Sequence, residues 1–558
     1  MQRAWLVSRV PVVLLVAVCV SLAAGETPEP RKKLVELGWD IPSTRYLRDN
    51  WQTMEQGAPF DGVIFMVRVQ GANSEAFWDN KPWKKEWLEE ALGDLKACRF
   101  SRFTDNFVRV NVTPGSLDWF SDADWAVLAE KTRLVAWLAR EGGCKGICLD
   151  PESYGSRQFR YDPEKKRSFT EGSAMASKRG AQFAQALAGE FPKATVLSLW
   201  LNSILLRAGE LDDPRAALEA DAYGLLPAFI DGMLSAAPPE MTLVDGCENA
   251  YRFDGETAYL EAYNRMRSHT GPAMRLVAPE NRARYRAQVQ AGFGFYLDCY
   301  LNLEGNPWYI GAKSGSRLER LQQNLAAARN VTDQYVWVYG EQCCWWQLSR
   351  PSDWFKNAVK NTPGKGRLWE EAMPGIARAI RRAGDLTAAV RAELAERKAQ
   401  GGLKNLVENP GFEEGDGPLP KGFSAWQADD SKGTFSADRA TGHNSRASAK
   451  AVNVKNGCFI QKHNVKAGET YAVEADCLRK GAGTCSMRVR WQKANGQWTL
   501  EEKDKAVAFV PADGTWEHAF GVVTVPEGAE ILVILLCVVN QSSNDDACWF
   551  DDVGLYGL

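Results

Sequence analysis

Histidine is nearly missing from this sequence: His269, His443, His463 and His518 are the only four among 558 residues. A Ser-His-Asp or Cys-His nucleophile needs an imidazole base, and a catalytic zinc normally takes histidine ligands. With only His269 ahead of residue 400, neither chemistry is expected in the first two thirds of the chain. No GxGxxG follows an apolar strand and no GxxxxGK[ST] occurs, so nucleotide cofactors have no support and no cofactor is expected for catalysis. No CxxC pair suggests a zinc site. An excess of positive charge is also lacking: 67 Lys and Arg against 70 Asp and Glu leave a net charge of -3, so the basic face that displaces counterions from nucleic acid is not there. Beyond residue 25 no apolar run is long enough to cross a bilayer.

The sequence is otherwise that of an ordinary globular protein, 45% hydrophobic and 25% charged. Its length predicts two or three domains. Aromatics reach 11%, with 21 Trp, more than a core requires; flat sugar faces are a common use for the surplus. The N-terminus carries Arg3 and Arg9, then PVVLLVAVCVSLAAG. This reads as a signal peptide over 1–25, cut near Ala23 to Gly25, so the mature protein is expected to be secreted and not held in the membrane. Secretion makes the twelve later cysteines candidates for disulfides. Seven lie between Cys98 and Cys344 and five between Cys458 and Cys548, two odd counts that require free thiols or an interdomain bridge.

From Lys33 to Trp346, short apolar strands alternate with longer amphipathic helices. The strands read LVELGWD, GVIFMV, NFVRVNV, GICLDPE, VLSLWLN, LVDGCEN, GFYLDCY and YVWVYGE. That alternation predicts an α/β fold, a (β/α)8 TIM barrel over 33–385. The two-residue period gives each strand an aliphatic or aromatic outward face and a small or polar inward one. It places Val35, Leu37 and Trp39 outward against Glu36, Gly38 and Asp40, and Leu197, Leu199 and Leu201 outward against Ser198, Trp200 and Asn202. The inward polar residues at the C-terminal mouth are then Asp40, Asn111, Asp150, Glu152, Asn202, Glu248, Asp298 and Glu341. Each is costly to bury unpaired, and that rim is where barrels build active sites.

An acidic mouth without histidine points to carboxylate chemistry. Glycoside hydrolysis needs one carboxyl to protonate the leaving oxygen and another to attack or to activate water. In GICLDPESYG, Asp150 and Glu152 are two apart on a strand and face the same way. Two neighbouring carboxylates raise one another's proton affinity, which suits acid catalysis. The alternative is a structural Asp150 with Glu152 paired to a base such as Arg109. Glu248 is the first choice of partner, with Asp298 and Glu341 as competitors; these two and Asp40, Asn111 and Asn202 are otherwise substrate-binding candidates. Trp200, Trp345 and Trp346 could stack on sugar rings or pack the core. Tyr154 and Tyr251 keep a polysaccharide lyase open, and a non-catalytic carbohydrate-binding barrel is the other alternative.

The stretch from Leu34 to Trp346 resembles the catalytic barrel of secreted bacterial glycoside hydrolases, on GWD in strand one, DPE in strand four and YGE followed by tryptophans after strand eight. The D-x-E is similar to that of retaining families in which Glu is the acid. The chain lacks the longer chitinase pattern and the Asn-Glu pair of the large cellulase-like clan, which leaves the nucleophile's strand open.

Leu368 to Gln400 reads as helix, its first part closing the barrel and 386–403 forming a linker. Helices then stop. Short alternating strands with Gly turns over 404–558 predict a β-sandwich. NLVENPGFE, VKAGETYAVEA, GTW with VTVPEGAE, and WFDDVGLYGL resemble the galactose-binding-like jelly-roll modules grouped with cellulose-binding families four and nine. The resemblance implies a structural calcium near Glu413 and Asp552, as oxygen ligands suit a hard cation. Trp426, Trp491 and Trp498 are candidate sugar-stacking residues, while Trp516 and Trp549 read as core. The expected partner is a polysaccharide or oligosaccharide.

Overall fold

The computed structural model describes residues 32–558 apart from 153, 155, 314, 348–365 and 513. The signal-peptide reading of 1–25 lies outside the described residues.

The first region is a nearly closed, parallel, barrel-like sheet wrapped by helices. Its strands in chain order are Lys33–Gly38, Gly62–Phe65, Phe107–Asn111, Gly146–Asp150, Thr195–Ser198, Thr242–Asp245, Val289–Ala291, Phe293–Tyr296 and Tyr335–Gly340. Neighbours in this order pair in parallel, except Val289–Ala291 with Phe293–Tyr296, and Lys33–Gly38 also pairs with Tyr335–Gly340. The two ends of the sheet order are Val289–Ala291 and Phe293–Tyr296, separated only by Gly292. The intervening helices start where the sequence supplies caps. Ser121 caps Asp122–Glu141, and Ser168 with Glu171, and Ser316 with Glu319, close capping boxes on Phe169–Glu190 and Arg317–Val331.

Register decides which side chains face the barrel interior. Val35 pairs with Trp337 and Leu37 with Tyr339, and Leu37, Trp337 and Tyr339 all line one interior cavity. Glu36 and Asp40 therefore point outward. A Cβ at Gly38 would run into both carboxylates, which crowd over it on that side. Likewise Leu197 shares a row with Cys148 and Val244, Leu199 lines the cavity, and Ser198 and Trp200 face the helices. The expected faces of these two strands are thus reversed by one residue. The reason is physical: strands of a parallel sheet are apolar on both sides, so a leucine alternation carries no sign. Asp150 does point inward as expected, and so do Arg109, Gly294, Tyr296, Trp337 and Tyr339. Gly294 is required there, since a Cβ would meet the rings of Trp337 and Tyr251 at 2.8 Å.

The predicted helix over 368–400 is three: Trp369–Ala372, Ile376–Gly384 and Leu386–Ala399. Gly375 breaks the first junction at φ 89°, and Asp385 caps the last helix by accepting from Ala388 N at 2.8 Å. Leu386–Ala399 docks on the C-terminal sandwich, with Val390 and Leu394 against Ala472, Phe520 and Tyr556.

The C-terminal region is a sandwich of two antiparallel sheets. One orders Ser424–Gln427, Asn456–Asn464, Ile531–Val539, Thr484–Gln492 and Lys505–Ala508. The other orders Thr434–Asp438, Ser448–Val452, Ala547–Gly557, Thr470–Lys480, Glu517–Thr524 and Val510–Pro511. Alternate residues meet in a core that includes Phe412, Phe459, Trp491, Leu536 and Phe550. No disulfide joins the twelve described cysteines, and all but Cys537 are buried. No helix of the described residues is long and apolar enough to cross a membrane.

Candidate active site

A cavity of about 520 Å³ opens within the barrel, lined among others by Arg109, Glu152, Tyr154, Glu248, Asp298 and Glu341. Four of the predicted rim acids are therefore brought together. Around them stand Tyr251, Tyr296, Tyr339, Trp308 and Trp337. Tyr251 and Tyr339 stack at 5.6 Å with 2° between planes, and Trp308 lies edge-on to Tyr251 and Tyr296.

Asp150 ends the strand Gly146–Asp150 and is fully buried. It is ion-paired with Arg109, and its Oδ1 accepts from the Glu152 amide at 3.0 Å. It does not line the cavity. Asp150 neutralises the guanidinium and fixes the backbone of Glu152, and Glu152 alone reaches the cavity. Removing one member of a buried pair leaves the other charge uncompensated. Asp150→Asn should therefore lose about 3–5 kcal/mol of stability in chemical denaturation, and Arg109→Met in the same chain should restore much of it. A purely catalytic Asp150 would leave stability unchanged.

Glu152 is half-buried, and the hydroxyl of Tyr154 donates to its Oε2. Burial, then the Asp150 charge, pushes its carboxyl above the usual range. Glu248 opens the short 3-10 turn Glu248–Arg252, entered through Cys247 at φ 39°. The strand stops at Asp245, so Glu248 lies three residues past its end and not on the strand itself, where it was expected. Glu248 has no ion-pair or side-chain hydrogen-bond partner among the described residues. Burial, then the charges of Glu152, Asp150 and Glu341, raises it to about 8. It is therefore protonated at neutral pH, while its neighbours provide the negative charge that keeps it so.

Asp298 and Glu341 form the opposite wall. Asp298 accepts from Tyr296 Oη at 3.2 Å and from the Glu341 amide at 3.3 Å, and burial raises it to about 6. Glu341 accepts from Tyr339 Oη at 3.1 Å, and Tyr339 accepts from Trp39 Nε1 at 2.7 Å. Gln342 and Asn302, bonded at 2.6 Å, complete this side.

The other predicted site residues are elsewhere. Asp40 is buried outside the sheet, where its Oδ2 accepts from the amides of Trp345 and Trp346 at 2.6 and 3.5 Å. It anchors that segment instead of a substrate, and burial raises it to about 6. Trp345 packs on Phe60 and Trp369, and Trp346 is buried. Trp200 is buried against Tyr223. Asn202 is buried, donating to Ala273 O at 3.4 Å, and Asn111 is buried beneath the mouth. None of these six lines the cavity. Sequence reasoning missed Trp308, Asn302 and Gln342, which come from loops where no strand period gives a direction.

In the sandwich, Trp426 and Trp498 are exposed, at 52% and 44%, whereas Trp491 is core and donates to Lys503 O. Trp426 stands on the outer face of the five-stranded sheet, opposite Cys458. Trp498 lies against Arg490, whose guanidinium is 4.3 Å from the ring centre. Trp516 is buried as expected; Trp549 is half-buried and donates to Asp438 at 2.9 Å. Trp426→Ala and Trp498→Ala should each weaken polysaccharide binding about tenfold in affinity electrophoresis, and Trp491→Ala should act through stability.

Glu413 and Asp552, the pair expected at a calcium, stand in different surroundings, and Asp552 groups with His443 and Asp476. Glu413 Oε1 accepts from the amides of Arg446 and Ala447 at 2.9 and 2.7 Å. Asp552 instead accepts from His443 and Asn444 at 2.9 and 2.7 Å. Arg439 already serves the Phe412 and Gly415 carbonyls beside Glu413. The residue tied to Glu413 through Ser445 is Asp551, not Asp552.

The family match lies in this second region. None of the curated proteins matches the chain in sequence. Among solved structures, the tailspike protein 4 active domain of bacteriophage CBA120 is similar at 16% identity and a TM-score of 0.23, over 28% of this chain. The chain spans about a fifth of that protein, 21% of its length. TmCBM61, solved with β-1,4-galactotriose, is similar at 13% identity over 28% of this chain and 99% of its own, with a TM-score of 0.21. A CBM4 structure is similar at 18% identity over 27% and 99%, with a TM-score of 0.20. The family model described as "Carbohydrate binding domain", CBM_4_9, matches residues 404–543. Residues 404–543 are therefore a family 4/9 carbohydrate-binding domain.

Proposed function

We propose that this protein is a secreted glycoside hydrolase whose (β/α)8 barrel cleaves a polysaccharide held by the family 4/9 module. The observation that carries the reading is Glu248: a carboxyl raised to about 8, with no hydrogen-bond donor among the described residues, sharing a cavity with Glu152. A structural carboxylate is normally paired. This one is kept neutral by burial and by neighbouring charge, the state a general acid needs at neutral pH. Perturbed carboxyls gathered in a cleft are a mark of catalytic sites.

Each residue then has a role. Glu248 donates its proton to the glycosidic oxygen as the bond breaks. Glu152, held by the Tyr154 hydroxyl and by the Asp150 bond to its amide, acts as the carboxylate that attacks carbon or takes a proton from water. The stacked Tyr251 and Tyr339, with Trp308, offer flat walls for a sugar ring. Asp298, Glu341, Asn302 and Gln342 supply hydroxyl-binding groups opposite. The apolar N-terminal run with Arg3 and Arg9 supports export.

The test is reducing-end release from a panel of plant, algal and animal glycans by wild type and Glu152→Gln. Release by wild type alone is expected. Equal release by both removes Glu152 from the chemistry, and no release from any glycan the protein binds leaves a carbohydrate-binding protein without catalysis.

A further inference from the structure

A second cavity, of about 640 Å³, takes its lining from the chain that directly follows Glu152 and Tyr154 of the carboxylate cavity, and differs from it in charge. The chain joins the two directly. Ser156 lines the second cavity only four residues after Glu152, a span of at most about 14 Å. Both are held to the same neighbouring loop: the Tyr154 amide donates to Thr113 Oγ1 at 3.4 Å and the Ser156 amide to Pro114 O at 3.0 Å. Gly115 and Ser116 of that loop continue into the wall of the second cavity.

That wall is cationic. Arg157, Arg160, Lys165 and Arg167 line it, against the acids Asp162 and Glu164. Asp162 is used locally, capping a 3-10 turn by accepting from the Glu164 amide at 3.0 Å. Arg167 lies 4.8 Å over Phe120 and 3.7 Å from Glu171. Arg157, Arg160 and Lys165 are exposed and make no ion pair among the described residues. Elsewhere on the chain exposed arginines such as Arg133 and Arg215 are paired with acids on their own helices. Unpaired guanidinium groups around a concave space suit a planar or tetrahedral oxyanion, which they can hold by two parallel hydrogen bonds. Phe120 and Tyr161 add flat apolar surface in the same wall. The protein as a whole is net negative, at -3, so a general attraction for anions does not account for this local reversal of sign.

We propose that this cavity is a subsite for an acidic sugar, bearing a carboxylate or a sulfate ester, next to the bond that is cleaved. The substrate class is then an anionic polysaccharide. This rests on the hydrolase reading of the neighbouring carboxylates. The arrangement also separates charges usefully: the acidic group lies among arginines while the bond to be broken faces Glu152 and Glu248.

The experiment measures binding apart from turnover. Full-length Glu152→Gln protein, with and without the pair Arg157→Ala and Arg160→Ala, is titrated with polygalacturonate, a sulfated galactan and a neutral galactan at 50 mM and 500 mM salt. Both arginines are exposed, and circular dichroism checks that the pair leaves the fold intact. Without the pair, at least one anionic glycan is expected to bind about tenfold or more tightly than the neutral one at low salt, with the gap shrinking at high salt. The arginine pair should remove that preference and leave neutral binding unchanged, because the module is untouched. The favoured anionic glycan tells carboxylate from sulfate. Unchanged anionic affinity in the arginine variant overturns the subsite. Wild-type turnover on the same panel separates the two claims: cleavage of the neutral glycan alone ends the subsite proposal and keeps the hydrolase, whereas arginine-dependent anionic binding without any cleavage ends the hydrolase and keeps the subsite.

Discussion

Replacing Glu248 by Gln should lower kcat/KM on the cleaved polysaccharide by about 10³-fold, within the usual range for a lost general acid. The amide keeps the shape of the side chain and cannot donate a proton of comparable acidity. The loss should fall mainly on kcat, since the carboxyl acts on the leaving oxygen in the transition state and not on the bound sugar. An aryl glycoside with a strongly acidic phenol as leaving group needs no protonation. On such a substrate Glu248→Gln should lose far less, whereas Glu152→Gln should lose activity on both. A uniform loss on both substrates by Glu248→Gln would assign Glu248 to binding or to structure.

The second large effect is on pH dependence. Glu248 must hold its proton to act, and burial with neighbouring charge sets it at about 8. Activity should therefore fall as pH rises through about 8. Glu152 must be ionised, and its carboxyl lies above the ordinary range, so activity should also fall on the acid side, earlier than for an exposed glutamate. The profile is a bell whose limbs belong to the coupled cluster as a whole. The Glu152 charge is the largest electrostatic cause at Glu248 after burial. Removing it in Glu152→Gln should lower the Glu248 titration and shift the residual alkaline limb toward acid.

Stability follows the same linkage with a definite sign. Glu248, Asp298, Asp40 and Glu36 all have raised carboxyls in the folded protein. Between the ordinary carboxylate range and the folded values, the folded state binds more protons than the unfolded one. Their contribution is complete below the unfolded values near 4 and is lost as pH climbs toward 6 for Asp298 and Asp40 and 8 for Glu248.

Much of this site was legible in the sequence, and the parts that were not have identifiable reasons. Glu152, Glu248, Asp298 and Glu341 were found because each ends a strand pattern or follows one closely, and the C-terminal ends of parallel strands converge. Asp40 and Trp200 were placed on the wrong side because a strand buried on both faces shows period two without direction. Only the pairing of Leu37 with Tyr339, and of Leu197 with Val244, supplies the direction. Asp150 and Glu152 were read as an equal pair. Arg109, one strand away, breaks that equality by claiming Asp150; the alternative reading has a structural Asp150 but gives Arg109 to Glu152. Tyr251 lies on a turn and Trp308 on a loop, where no strand pattern dictates direction. In the second region the β-sandwich and the module family were legible from turn spacing and terminal motifs. The partners of Glu413 were not, since they depend on which of two adjacent aspartates turns toward it.

The most direct measurement is a carbon-13 titration of the glutamate side-chain carboxyls, with Glu248 assigned by its loss in Glu248→Gln. The account predicts a Glu248 midpoint near 8 that drops when Glu152 is replaced by Gln. A Glu248 carboxyl that titrates near the ordinary value of about 4.3, and that ignores the change at Glu152, would contradict it.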